Sequence, residues 1–174
     1  MLRTAVAAPV GARSTARPSV EVVHALKTAS YTVTGPLLVG AALAGADDAR
    51  AAGLERFGRP LGIAFQLRDD LLGTFGDPAA TGKPIHNDIR QGKRTALVAE
   101  LCRDAAGQRV FASGDVDAIV KAMETSGAKS RVEARVRELL AESRSALAAI
   151  APSLSESGRT LLDGAVSALG ERAS

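Results

Sequence analysis

The sequence predicts an all-α protein built as one helical bundle, and three observations carry that prediction. Apolar residues recur at helical spacing, as in Leu54, Phe57, Leu61 and Phe65 and again in Val132, Val136, Leu139 and Leu140. No stretch alternates β-branched and polar residues in the way a half-buried strand does. No internal repeat and no linker divides the 174 residues, a length that suits one ordinary domain with a sizeable core.

Residues 1–18 are rich in Ala, Arg, Ser and Pro, lack acids and show no periodicity, so they are expected to be a disordered or divergent start. They share the Arg-rich, acid-poor character of a transit peptide but not its amphipathic face. The folded part is then residues 19–174. A first helix follows Pro18, with Ser19 as a plausible cap and Lys27 and Tyr31 on one face at i and i+4. Gly35-Pro36 interrupts it, and Leu37 to Ala44 reads as a short helix that is apolar nearly all round and therefore buried. Asp47 and Asp48 can cap a long helix running to about Leu72, with Pro60 kinking it and Gly73 and Gly76 ending it. After a loop, Asn87 or Asp88 should cap a helix reaching about Ala106, and Ser113 or Asp115 should open another through Met123 that stops at Ser126-Gly127. Two amphipathic helices close the chain, one lined by Val132, Val136, Leu139, Leu140 and Leu147, the other by Leu154, Leu161, Leu162, Val166 and Leu169. The run Arg131, Glu133, Arg135, Arg137 and Glu138 is most simply a solvated face with i, i+4 pairs.

Composition excludes several functions. Arg3, Arg13 and Arg17 account for the net charge of +3, so the rest of the chain is neutral and its basicity does not announce nucleic acid. The aromatic residues are Tyr31, Phe57, Phe65, Phe75 and Phe111, too few for the stacking platforms that single-strand binders use. Cys102 is the only cysteine, which rules out an internal disulfide and a cysteine-rich zinc site; on a helix it reads as a small buried hydrophobe. His24 and His86 have no partners at metal-ligand spacing and read as structural or exposed. The longest apolar run, residues 36–46, is too short to span a bilayer, so a soluble, cytoplasmic protein is expected.

The chemistry concentrates between Phe65 and Thr95. Asp69 and Asp70 stand at the end of the long helix with Gln66 one turn before them, and a polar loop follows that holds Asp77, Lys83, Arg90, Lys93 and Arg94. Acids followed by bases suit a magnesium diphosphate. Carboxylate oxygens hold Mg²⁺ through a few contacts, leaving water and phosphate oxygens to complete the octahedron, and lysines act as point charges on the same phosphates. Gly82 and Gly92 each precede a lysine and allow close backbone approach. A lone acidic pair is more often only solvated surface, and it is the company of Gln66, a third Asp and two Gly-Lys pairs that lifts this one above that reading. The segment is not a P-loop, because Gly76 and Gly82 enclose five residues and Pro84 stands where Ser or Thr is required.

FQLRDD with GDPAATGKP and DIRQGKRT resembles the second aspartate-rich region of the trans-isoprenyl diphosphate synthases, or polyprenyl synthetases. Lys27-Thr28 is similar to the Lys-Thr pair of that family, PLLVGAALAG to the apolar helix after it, and residues 123–147 to its C-terminal helix pair. The likeness runs from about Val20 to Arg172 and implies the isoprenoid synthase type of helical bundle, apparently truncated at its N-terminus. It departs from the family twice: Gly73 stands where a third carboxylate is common, and neither a first DDxxD motif nor an upstream Arg-Arg pair is present. The resemblance implies Mg²⁺-dependent condensation of an allylic diphosphate with isopentenyl diphosphate. By its pattern Asp69 and Asp70 hold Mg²⁺, Lys27, Lys83 and Lys93 neutralise diphosphate, Thr28 and Gln66 contact the carbocation or its leaving group, and Phe65 and the Leu37 helix wall an apolar tunnel. It also implies association with another synthase chain or with the missing N-terminal half. The alternative is a noncatalytic subunit or degenerate paralogue that pairs with a complete synthase. A cyclising terpene synthase half is weaker, since such sites usually need aromatic walls.

Overall fold

The computed structural model describes residues 25–77 and 85–171, and among these every regular element is helical. A π-helix, Ala25–Thr34, leads into α1, Gly35–Leu43, and α2, Asp48–Phe75. Short helices α3 (Asn87–Arg90), α4 (Ala96–Leu101), α5 (Ala105–Ala112) and α6 (Val116–Thr125) lead to α7, Ala128–Ile150. A 3₁₀ turn at Ala151–Ser153 then connects to α8, Glu156–Glu171.

The bundle is organised around α2 and α7. They run antiparallel: Gly53 near the start of α2 meets Ile150 at the end of α7, and Phe75 at the end of α2 lies beneath Lys129 Nζ, 4.4 Å from the ring centroid. Between these ends Phe57, Leu67, Leu139 and Met123 are fully shielded, and each such side chain contributes about 1.5–3 kcal/mol of transfer free energy. The π-helix lies on the far side of α2 at van der Waals limit. A Cβ on Gly62 would stand 2.6 Å from Ala29 Cβ, so only glycine permits this approach.

Caps explain most boundaries. Asp47 accepts from the Arg50 amide at 2.8 Å to start α2, and Asp115 accepts from the Ala118 amide at 3.1 Å to start α6. Gly73 does not stop α2, which runs on to Phe75. Gly76 does, because its extended backbone brings it so close to the Leu72 carbonyl that any Cβ would collide there. Pro60 stays buried within α2. The single helix expected from Asn87 to Ala106 is instead three. Its first turn begins after His86, held at φ 65°, and a left-handed Gly92 at φ 64° ends it. Thr95 and Asp104 then cap new starts at α4 and α5, so neither Asn87 nor Asp88 acts as a cap.

Three burial expectations are corrected. Of α1 only Ala41 is buried, while Val39 and Leu43 stay 60% and 86% exposed, because the described chain covers one side of a helix that is apolar on all sides. Leu161 on α8 is exposed, whereas Val166 and Leu169 are inside. Cys102 sits just past α4 and is half-buried; burial pushes its thiol above the ordinary value, against the opposing pull of Arg94.

The charged face of α7 also does more than face water. Arg135 pairs with Glu138 and Glu142, both at 3.1 Å. Arg131 reaches across to α4, donating from Nε to Glu100 Oε2 at 2.6 Å and from its two terminal nitrogens to the Glu100 and Ser126 carbonyls. Burial alone would raise the Glu100 carboxyl, but hydrogen bonds from Arg131 and Arg103 outweigh it and hold the group below 4.5.

Candidate functional site

The last turns of α2 separate the two adjacent acids. Asp69 is exposed, whereas Asp70 is buried at 6% accessibility. Asp70 Oδ2 accepts the Ala96 amide at 3.1 Å, the first N–H of α4, and Oδ1 accepts Gln66 Nε2 at 3.3 Å. Adjacent positions on a helix point about 100° apart, so when α4 docks against one of them the other is left facing water. Asp70 is thus a bracket between α2 and α4, and Asp69 is the carboxylate of the pair left accessible to solvent. Next to them Arg68, also buried, donates to the Leu169 carbonyl and fastens the end of α8 to the same turn.

The α3 turn folds back onto the end of α2. The His86 amide donates to the Gly73 carbonyl at 2.8 Å, one of the carbonyls that the helix end leaves without an intrahelical donor. Lys93 follows α3 and is fixed twice to Asp88: its amide donates to the Asp88 carbonyl at 2.9 Å and its Nζ to Oδ1 at 2.7 Å. The Arg90 guanidinium is turned to the Ile85 carbonyl at 3.1 Å. Of the residues singled out by sequence, Gln66, Asp69, Asp70 and Lys93 therefore sit around one helix end. Lys27 and Thr28 belong to the π-helix, a rare geometry often found at functional positions, but their side chains lie outside the described residues, as does Lys83. Phe65 is 44% exposed on α2, one turn before Asp69. Reading the sequence missed Asp88 as part of this group; its signal was the five-residue spacing to Lys93 with a turn glycine between them.

Among the described residues no three His, Cys, Asp or Glu side chains converge to hold a metal by themselves. The donor set on hand is exposed Asp69 beside buried Asp70. It fits Mg²⁺, which keeps several waters and is held through one or two carboxylates together with substrate phosphates. Asp69 would be the exposed hard-oxygen donor for such an ion, on a turn that Asp70 ties to α4 and to Gln66. No helix among the described residues is long and apolar enough to cross a membrane.

Comparison with known proteins places the fold in a family. Residues 17–133 match the polyprenyl synthetase family model. A geranylfarnesyl diphosphate synthase of Aeropyrum pernix is 33% identical over 132 residues, 72% of this chain and 41% of that protein. A geranylgeranyl diphosphate synthase of Mycobacterium tuberculosis is 57% identical over 60 residues, 34% of this chain and 17% of its own. Among solved structures, the geranylgeranyl pyrophosphate synthase of Corynebacterium glutamicum, complexed with isoprenyl diphosphate and magnesium, superposes with a TM-score of 0.80 at 35% identity, over 88% of this chain and 46% of that one. The chain thus spans about half the length of the solved relatives it matches, and on the family match, the shared fold and the identities it belongs to the polyprenyl synthetase family.

Proposed function

We propose that this chain carries the second aspartate-rich side of an isoprenyl diphosphate synthase site and takes part, in the cytoplasm, in joining an allylic diphosphate to isopentenyl diphosphate. The observation that supports this most directly is that exposed Asp69 stands one turn before Gly73, onto which the turn carrying Asp88 and anchored Lys93 folds back, which would offer an acid for a hydrated cation and a base for phosphate. In the reaction the allylic C–O bond breaks and diphosphate leaves with the electron pair. The double bond of isopentenyl diphosphate attacks the resulting cation, and a proton is lost from the adjacent carbon. Mg²⁺, when bound, supplies neutralisation of the charge that grows on the leaving diphosphate. Lys93 would oppose the same charge, and by resemblance Lys27 and Lys83 would do likewise. Asp69 and Asp70 would hold the ion, Asp69 directly or through water and Asp70 chiefly by fixing the turn. Gln66 and Thr28 would offer polar contacts near the cation, and Phe65 with α1 would line the hydrocarbon path.

These residues hold no first aspartate-rich motif, so turnover would draw that motif from an N-terminal synthase half or from another synthase chain. Exposed Tyr31, Val39 and Leu43 favour such an association, and they equally suit the second reading, a noncatalytic subunit of a complete synthase. Purified chain should be incubated with labelled isopentenyl diphosphate, an allylic diphosphate and Mg²⁺, alone and with a separately expressed N-terminal synthase half. Product only in the mixture, lost in Asp69→Ala, is expected. An altered product length with a complete synthase, unaffected by Asp69→Ala, would establish the subunit reading. Robust product from the chain alone would refute the need for a partner.

A further inference from the structure

The long helix lacks a side chain where one would point at Asp88. A Cβ on Gly73, one turn after Asp69, would stand 4.0 Å from Asp88 Oδ2, while the other oxygen of that carboxylate holds Lys93 Nζ at 2.7 Å. Main-chain bonds clamp both partners: the His86 amide pins the start of α3 to Gly73, and the Lys93 amide closes on the Asp88 carbonyl around left-handed Gly92. Asp88 therefore lies over the bare surface at Gly73 with one face toward α2 and one toward Lys93. We propose that Asp88 is the positioning residue that aims Lys93 at the diphosphate, and that the missing side chain at position 73 is the space it works in.

The physical reasoning concerns freedom rather than attraction. An exposed ion pair stabilises little, because the side chains lose rotamer entropy in holding one geometry. A lysine already held loses that entropy on folding rather than on binding, so it meets an anion at lower cost. The ammonium has three N–H donors, and the contact with Asp88 leaves two for phosphate oxygens. A bulky side chain such as leucine at position 73, whose Cβ would already stand 4.0 Å from Oδ2, would compete with the carboxylate for that space.

The inference rests on the proposed diphosphate reading, and one titration separates the two. Inorganic pyrophosphate with Mg²⁺ is titrated calorimetrically into wild type, Lys93→Ala, Asp88→Ala, Asp88→Asn, Gly73→Leu and the Asp88→Ala, Lys93→Ala double variant. Lys93→Ala should weaken binding by about tenfold or more. Asp88→Ala and Gly73→Leu should each weaken it by more than about threefold, with Asp88→Asn between Asp88→Ala and wild type because its amide oxygen still accepts from the ammonium. In the Lys93→Ala background, Asp88→Ala should change affinity by less than about twofold, since Asp88 acts through Lys93. Full additivity of the two losses, unchanged affinity in Asp88→Ala, or tighter binding on its removal would each overturn the proposal while leaving the diphosphate site standing. Absence of any pyrophosphate binding by the wild type would overturn both.

Discussion

Replacing Asp70 and Asp69 one at a time should have opposite consequences, although the two are neighbours of the same chemical type. Asp70→Ala strips the acceptor from the buried Ala96 amide and from Gln66 Nε2. A buried N–H left without a partner costs about 1–3 kcal/mol. Loss of the negative charge at the start of α4 adds a few tenths. Against a whole-domain stability of about 5–15 kcal/mol that is a large fraction. With a urea slope of about 1–3 kcal/mol/M, the midpoint should fall by about 1 M. Asp70→Asn keeps a carbonyl acceptor and should recover part of the loss. Asp69→Ala, exposed and bonded to neither α4 nor Gln66, should leave the midpoint within the ~0.5 kcal/mol expected of surface changes while abolishing Mg²⁺-dependent pyrophosphate binding. Urea melts followed by far-UV circular dichroism, run beside calorimetry on the same samples, decide the matter. Equal midpoints for the two alanine variants would refute the assignment of Asp70 as bracket and Asp69 as ligand-facing acid.

Other measurements test the surrounding frame. Gly62→Ala should destabilise by about 1–3 kcal/mol despite its better helix propensity, because the new methyl meets Ala29 backbone; an unchanged thermal midpoint would show that the π-helix is not seated there. Gly73→Ala, whose methyl is at ordinary contact distance from Asp88, should stabilise by up to about 0.5–1 kcal/mol, and a loss would mean that the α3 turn sits closer than described. Glu100 carries a carboxyl lowered in the folded state. Its contribution is therefore present above the unfolded value and is lost as pH falls below about 4.5. Arg131→Ala should flatten this part of the stability profile, and parallel wild-type and variant curves between pH 5 and 3 would contradict the pairing.

Much of the bundle was legible without coordinates because helices are local objects. The repeat of Val132, Val136, Leu139, Leu140 and Leu147 specifies one buried stripe, and all five are inside. Asp47 and Asp115 start helices through bonds to amides three residues on, a range short enough to read along the chain. The contact of Gln66 with Asp70 followed equally from their i, i+4 spacing on one helix. The sequence by itself determined these features because each depends on neighbours within about one turn or on a period set by backbone geometry. What belongs to tertiary structure alone is which neighbour arrives from far away. Docking of α4 buried Asp70 and left Asp69 in water, the fold-back of the α3 turn carried Asp88 and Lys93 to Gly73, and Arg131 found Glu100 rather than a partner on its own helix. The exposure of α1 has the same origin, since its composition states that it is apolar but not how many of its sides another element will cover.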